Sequence, residues 1–169
     1  MELLAQILQV SFYYLLPFIV LESLLKVCYS KAEKVSLQES ATNIVMALMG
    51  RVLKKLFTGQ ILISILYVVK PYAFFSLPNS VLFFGITIVV ADFIYYWEHR
   101  ISHKIRCLWV FHSVHHSSEE FNLSTAIRFP WFGRAVNSIF YIPFVLLGFD
   151  PLSLVLAQGL NLFYQFWVL

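Results

Sequence analysis

Long apolar runs separated by short polar stretches organise the chain. The first run extends from about Leu3 to Leu25. At 1.5 Å of rise per residue it measures roughly 30–35 Å as a helix, enough to cross a bilayer. Pro17 is a candidate kink within it, and Glu22 lies near its end, within reach of the interface. Lys26 to Glu39 is the most polar part of the N-terminal half, and Lys26, Lys31 and Lys34 place it in the cytosol by the positive-inside rule. The residues from Gln38 to Asn43 supply several N-cap candidates for a second helix.

Arg51, Lys54 and Lys55 interrupt the next apolar run, about Ile44 to Val69. Charges are costly in mid-membrane, so the pattern predicts an interfacial first part and a span over about 56–75. Pro71, Pro78 and Asn79 mark a turn on the far side, and a third span over 81–97 returns the chain to the cytosol. Residues 99–134 form a polar segment of helix, turn and irregular structure at the membrane surface. The runs 139–148 and 152–169, split by Asp150-Pro151, read as a hairpin or partial spans. No internal repeat or second domain is visible. The expected architecture is an all-α, multi-span helical membrane protein, one membrane domain over 1–169, with its histidine-rich segment facing the cytosol.

Composition agrees. The chain is 60% hydrophobic and 12% charged, with a mean hydropathy of +0.77, whereas soluble domains are about 25% charged. A globule of this size cannot bury so much apolar surface, which makes lipid the expected solvent. The net charge of +3 is too small to argue for nucleic acid. Cys28 and Cys107 form no paired motif and read as reduced thiols near cytosolic span ends. The N-terminus MELLAQILQV lacks a basic leader region and a cleavage site, so it reads as a retained span. Bacterial inner membrane and endoplasmic reticulum both suit this topology.

All five histidines, His99, His103, His112, His115 and His116, fall in one short stretch just beyond the third span. Neutral imidazole is a common metal ligand. His99 and His103 share a helix face, and His112 stands three and four residues before His115 and His116. Two such groups brought together have enough donors for two ions. The competing reading, a set of unrelated surface histidines, fits poorly with helix-face spacing and with their absence elsewhere. Nitrogen ligation suits iron, zinc or copper; structural zinc usually recruits cysteine, and HExxH is absent, which leaves iron or zinc.

Asp92 lies two helix turns before His99 and reads either as a partner orienting a ligating imidazole or as an interfacial residue paired with a basic group. Asn122 and Thr125 are candidates for orienting ligands, or equally for an ordinary turn or cap. Tyr95, Tyr96 and Trp97 resemble an interfacial aromatic belt. Arg100, Lys104, Arg106, Arg128 and Arg134 read as headgroup contacts or topology determinants.

The string Asp92-Phe-Ile-Tyr-Tyr-Trp-Glu-His99-Arg-Ile-Ser-His103, then Leu108-Trp-Val-Phe-His112-Ser-Val-His115-His116-Ser-Ser, then Asn122-Leu-Ser-Thr125-Ala-Ile-Arg128, resembles the fatty acid hydroxylase / sterol desaturase superfamily of integral-membrane di-iron oxygenases. The matching motifs are its HxxxH and HxxHH boxes, and the flanks are most similar to the alkylglycerol monooxygenase-like branch. The resemblance implies that the five histidines ligate iron and that O₂ is used on a C–H bond of a lipid. A site at the membrane surface lets the alkyl chain enter from the bilayer while electrons arrive from the water. The family's third histidine box is not found in these residues, although Tyr164-Gln-Phe-Trp167 resembles the lead-in to a late family histidine. The expectation is a chain truncated before its last ligands. Two other readings stand beside the oxygenase: a catalytically incomplete member binding one metal or none and, last, a metal transporter with Asp92 as its intramembrane ligand.

Overall fold

The computed structural model describes residues 2–29, 33–118 and 122–168, and among these every regular element is helical. Helix α1 spans Glu2–Tyr29 with Pro17 inside it, and α2 spans Glu33–Leu53. A π-helical turn, Lys54–Thr58, joins α2 to α3, Gly59–Val69. Helix α4, Val81–Ser102, is followed by α5, Arg106–His112. Two short helices, α6 (Gly133–Asn137) and α7 (Ile142–Leu146), precede α8, Pro151–Val168.

Helix α4 begins where the apolar pattern begins. Ser80 caps it, its Oγ accepting a bond from the Phe83 N–H at 3.3 Å. By length and composition α4 suffices to cross a membrane, and the bent pair Leu37–Phe57 and Gly59–Tyr72 passes the same test as a unit. The bend of 41° falls at the π-helical turn, close to the predicted change from interfacial to spanning helix. Arg51, one of the charges behind that expectation, lies over the Tyr13 ring of α1 at 5.3 Å.

One expectation about the helices needs correction. The residues from Gln38 to Asn43 do not cap α2, because they lie inside it. Thr42 donates its hydroxyl to the Gln38 carbonyl one turn back, and Asn43 is fully buried against Ser124, so both are satisfied within or across helices. The stretch 139–148 is not a continuous helix. It is broken into a 3₁₀ turn at Ser138–Phe140, the short α7, and a stop at Gly148. Pro143 in the first turn of α7 supplies one physical reason. Lys31 lies outside the described residues, as do the side chains of Lys34 and Arg134.

Helix α8 joins two clusters of buried side chains. Phe166 packs with Leu15 and Ile19 of α1, Ala47 of α2, and Ala126 and Ile127. Leu154 packs with Leu62 and Leu66 of α3, Ile94 of α4, and Tyr141 and Val145. Helices α4 and α8 make the most extensive contact in the fold. At the end of this bundle away from the histidines, Lys70 pairs with Asp150. Burial alone would push the Asp150 carboxyl up, but the Lys70 ammonium and hydrogen bonds from Ser153 outweigh it and hold the group below its ordinary value.

Gly148 has φ +100°, and a Cβ there would stand 2.4 Å from the Phe75 carbonyl oxygen. Left-handed backbone and lack of space both demand glycine. The substitution Gly148→Ala should therefore cost more than about 1 kcal/mol, read as a lower thermal midpoint of the detergent-solubilised chain.

Candidate metal centre

The centre is built at the corner between α4 and α5. His99 occupies the last turn of α4 and His103 is its C-cap, whose N–H still bonds the His99 carbonyl at 3.3 Å. The helical turn is thus maintained, and the two imidazoles stay one above the other. Lys104 and Ile105 turn the chain, and α5 carries His112 in its last turn. A second short turn, His115–Ser117, brings His116 over His112 with the same four-residue spacing.

The two pairs meet face to face. The Nε2 atoms of His99 and His103 lie 3.2 Å apart, and those of His112 and His116 lie 3.1 Å apart. The His99 and His112 rings have centroids 4.5 Å apart, and those of His103 and His116 are 4.7 Å apart. One nitrogen from each of these four histidines lies within 4.8 Å of all the others. Metal–imidazole bonds are about 2.0–2.1 Å, so two nitrogens on one ion stand at most about 4.2 Å apart. A contraction of about 0.6 Å in the widest separation would bring all four into bonding range, so the donor set fits one nitrogen-ligated transition metal.

The second pair is also held in the ligating protonation state. Burial, and then crowding by the other imidazoles, pushes His112 down to about 4, and the same two causes lower His116. Both are therefore neutral near pH 7, with lone pairs available. The Trp109 ring stacks on His116 with planes 25° apart and covers one side of the cluster.

His115 is held apart from the other four. Its Nδ1 lies 3.2 Å from the Arg128 carbonyl, and its ring is parallel to Phe129 within 4°. A carbonyl fixes the proton on Nδ1 and leaves Nε2 as the free lone pair, the usual arrangement behind a ligating histidine. His115 is thus oriented as a donor, but beside the four-nitrogen cluster.

Asp92 turns to α8 rather than to an imidazole, and its carboxylate accepts a hydrogen bond from Asn161. Asn122 is buried and its Oδ1 accepts bonds from Ser124 and from the Thr125 N–H and hydroxyl, capping the 3₁₀ turn Thr125–Ile127. Arg100 is exposed and packs on its own helix, its guanidinium donating to the Tyr96 hydroxyl at 2.6 Å and lying 5.6 Å from the Trp97 ring centroid. Cys28 and Cys107 are free and exposed. Arg128 does not reach for headgroups. Its side chain, 12% exposed, donates to Glu39 at 3.4 Å and to Asn43 at 3.1 Å on α2. Ser118 also donates to Glu39, which ties the segment after the second histidine pair to α2.

The sequence reading missed Glu39 and Asn43, which resemble helix-cap material, and the hydroxyl of Tyr95, which resembles part of an aromatic belt. That hydroxyl lies 3.3 Å from His99 Nδ1. The signal available was Tyr95 standing one helical turn before His99; nothing local marked Glu39, whose partners are 79 and 89 residues away.

Removing one member of a largely buried ion pair leaves the other uncompensated. Glu39→Gln should cost about 1–3 kcal/mol of stability, and Arg128→Met should cost more, because it also removes the bond to Asn43 whereas a glutamine at 39 keeps an oxygen that can accept from Ser118 and Arg128. Denaturation midpoints of the two variants in detergent check the order.

The family model for fatty acid hydroxylase matches residues 84–169. The chain is 36% identical over 134 residues to human alkylglycerol monooxygenase, covering 78% of this chain and 30% of that protein. It is 31% identical to the zebrafish (Danio rerio) alkylglycerol monooxygenase and 29% identical to that of Xenopus tropicalis, each over 156 residues and 92% of this chain. These alignments cover 35% and 34% of the two relatives, so the chain spans about a third of the length of the curated proteins it matches. No solved structure matches it. The matched residues include the whole α4–α5 corner, and this chain belongs to the fatty acid hydroxylase family, in its alkylglycerol monooxygenase-like branch.

Proposed function

We propose that this chain carries part of the iron centre of a membrane-bound lipid monooxygenase that uses O₂ to hydroxylate a C–H bond. The observation that supports this reading most directly is the convergence of four imidazoles at one end of an apolar helix. His99, His103, His112 and His116 hold one ion, and His115 offers its Nε2 toward a second. Iron bound there supplies O₂ activation. The chain's own part is to keep the ligands oriented, to shelter the site beneath Trp109, and to set it where an alkyl chain leaves the bilayer.

In this reading the protein is a multi-pass membrane protein, with the histidine corner on the cytosolic side of a bacterial inner membrane or the endoplasmic reticulum. The basic residues Arg100, Lys104 and Arg106 are exposed at that corner and favour such an orientation. The relatives' name makes an ether-linked alkylglycerol the first substrate to try.

A second reading is favoured by the position of His115. Among the described residues one group of four histidines has ligand atoms close enough for a single ion. The chain by itself then holds one metal and does not complete a two-iron oxygenase.

Elemental analysis of the detergent-purified chain separates the two. About two irons per chain, with O₂-dependent product from an alkylglycerol, supports the oxygenase; one ion and no turnover supports the second reading; no transition metal defeats both. In either case His112→Ala should lower metal affinity by at least about tenfold, and His115→Ala should leave the first ion in place.

A further inference from the structure

Helix α8 is apolar in pattern, yet Asn161 and Gln165 stand one turn apart on it, Asn161 being 6% exposed. Buried amides on such a helix are costly unless they are paired. Here they are paired in series toward α4. Asn161 donates to the Asp92 carboxylate and accepts from the Gln165 amide. Gln165 is also the α8 side chain whose polar group acts on the Tyr95 hydroxyl. The Tyr95 hydroxyl lies 3.3 Å from His99 Nδ1, on the edge of the ring opposite the Nε2 that faces His103. The series thus joins a carboxylate to an imidazole seven residues further along the same helix, by way of the neighbouring helix.

We propose that Tyr95 is a positioning residue for the metal centre, held in place from α8 by Gln165, Asn161 and Asp92, and that it fixes the tautomer and rotation of His99. Metal on Nε2 requires the proton on Nδ1, and Tyr95 is the group placed to accept it. The arrangement also gives Asp92 a part in the site without contact with any ligand. A bare orienting carboxylate would have to be buried against the histidine. An amide series ending in a hydroxyl transmits the same constraint with a neutral group next to the ring.

The inference rests on the four-histidine cluster being a metal site, so the test measures binding and ligand geometry. The full chain in detergent is titrated with Co²⁺, whose visible ligand-field bands report both occupancy and coordination geometry. Tyr95→Phe keeps the ring beside His99 and removes the hydroxyl. Tyr96→Phe is the control, because it removes a hydroxyl from the next residue of α4 that bonds Arg100 instead. Gln165→Leu releases Tyr95 from α8. The expected result is a loss of affinity of about tenfold or more in Tyr95→Phe with shifted bands, a smaller loss in the same direction in Gln165→Leu, and wild-type behaviour in Tyr96→Phe. Unchanged affinity and bands in Tyr95→Phe overturn the positioning role while leaving the metal site standing. An equal loss in Tyr96→Phe also overturns it, since any hydroxyl of α4 would then serve. A wild-type chain that binds no Co²⁺ defeats the metal reading itself and this inference with it.

Discussion

The packing of α4 against α8 is the contact on which the rest depends. Helix α4 carries the first two histidines, but nothing within α4 decides how it is rotated about its axis. Helix α8 does so on two levels. Leu154 belongs to the apolar cluster that takes in Ile94 of α4, and Asn161, two turns further along α8, meets Asp92. Apolar packing supplies most of the contact, but it is non-directional and tolerates rotation. The polar pair is directional and does not. Rotation of α4 about its axis would carry His99 and His103 together away from the second pair.

The second half of the cluster is supported from a different quarter. His112 and His116 sit on a seven-residue helix and a single turn, elements too short to hold themselves. The chain beyond His116 is fastened to α1 and α2 instead. Glu22 accepts the Leu123 N–H at 2.7 Å, and Glu39 and Asn43 take Ser118, Ser124 and Arg128. Arg128 returns through its carbonyl to His115. The N-terminal helices therefore contribute no candidate ligand and still set the position of the loop that carries three of the five histidines.

Much of this is legible in the residues. The four-residue spacing of His99 and His103 puts both imidazoles on one helix face because a helical turn has only one geometry, and the structure keeps that turn. The start of α4 is legible because the apolar run, the preceding Pro78-Asn79 and the Ser80 cap all agree. The expectation fails at Gln38–Asn43 and at Arg128 for a shared reason. Polar residues in an apolar chain read as facing water or headgroups, whereas here they satisfy one another inside the protein. In His112-Ser-Val-His115-His116 the spacing allows either later histidine to join His112, and local geometry alone does not choose between them.

The sequence by itself determined the helical class, the place of the corner, the imidazole chemistry gathered there and the pairing of His99 with His103, because these follow from periodicity and side-chain chemistry over a few residues. Only the tertiary structure decided that the two pairs face each other, that His116 joins them while His115 turns to Arg128, and that Tyr95, Asn161 and Glu39 surround the site. Those outcomes depend on contacts between residues 69 to 89 positions apart, such as Asp92 with Asn161 and Glu39 with Arg128. Such contacts form only when packing brings distant helices into register, and no local pattern encodes them.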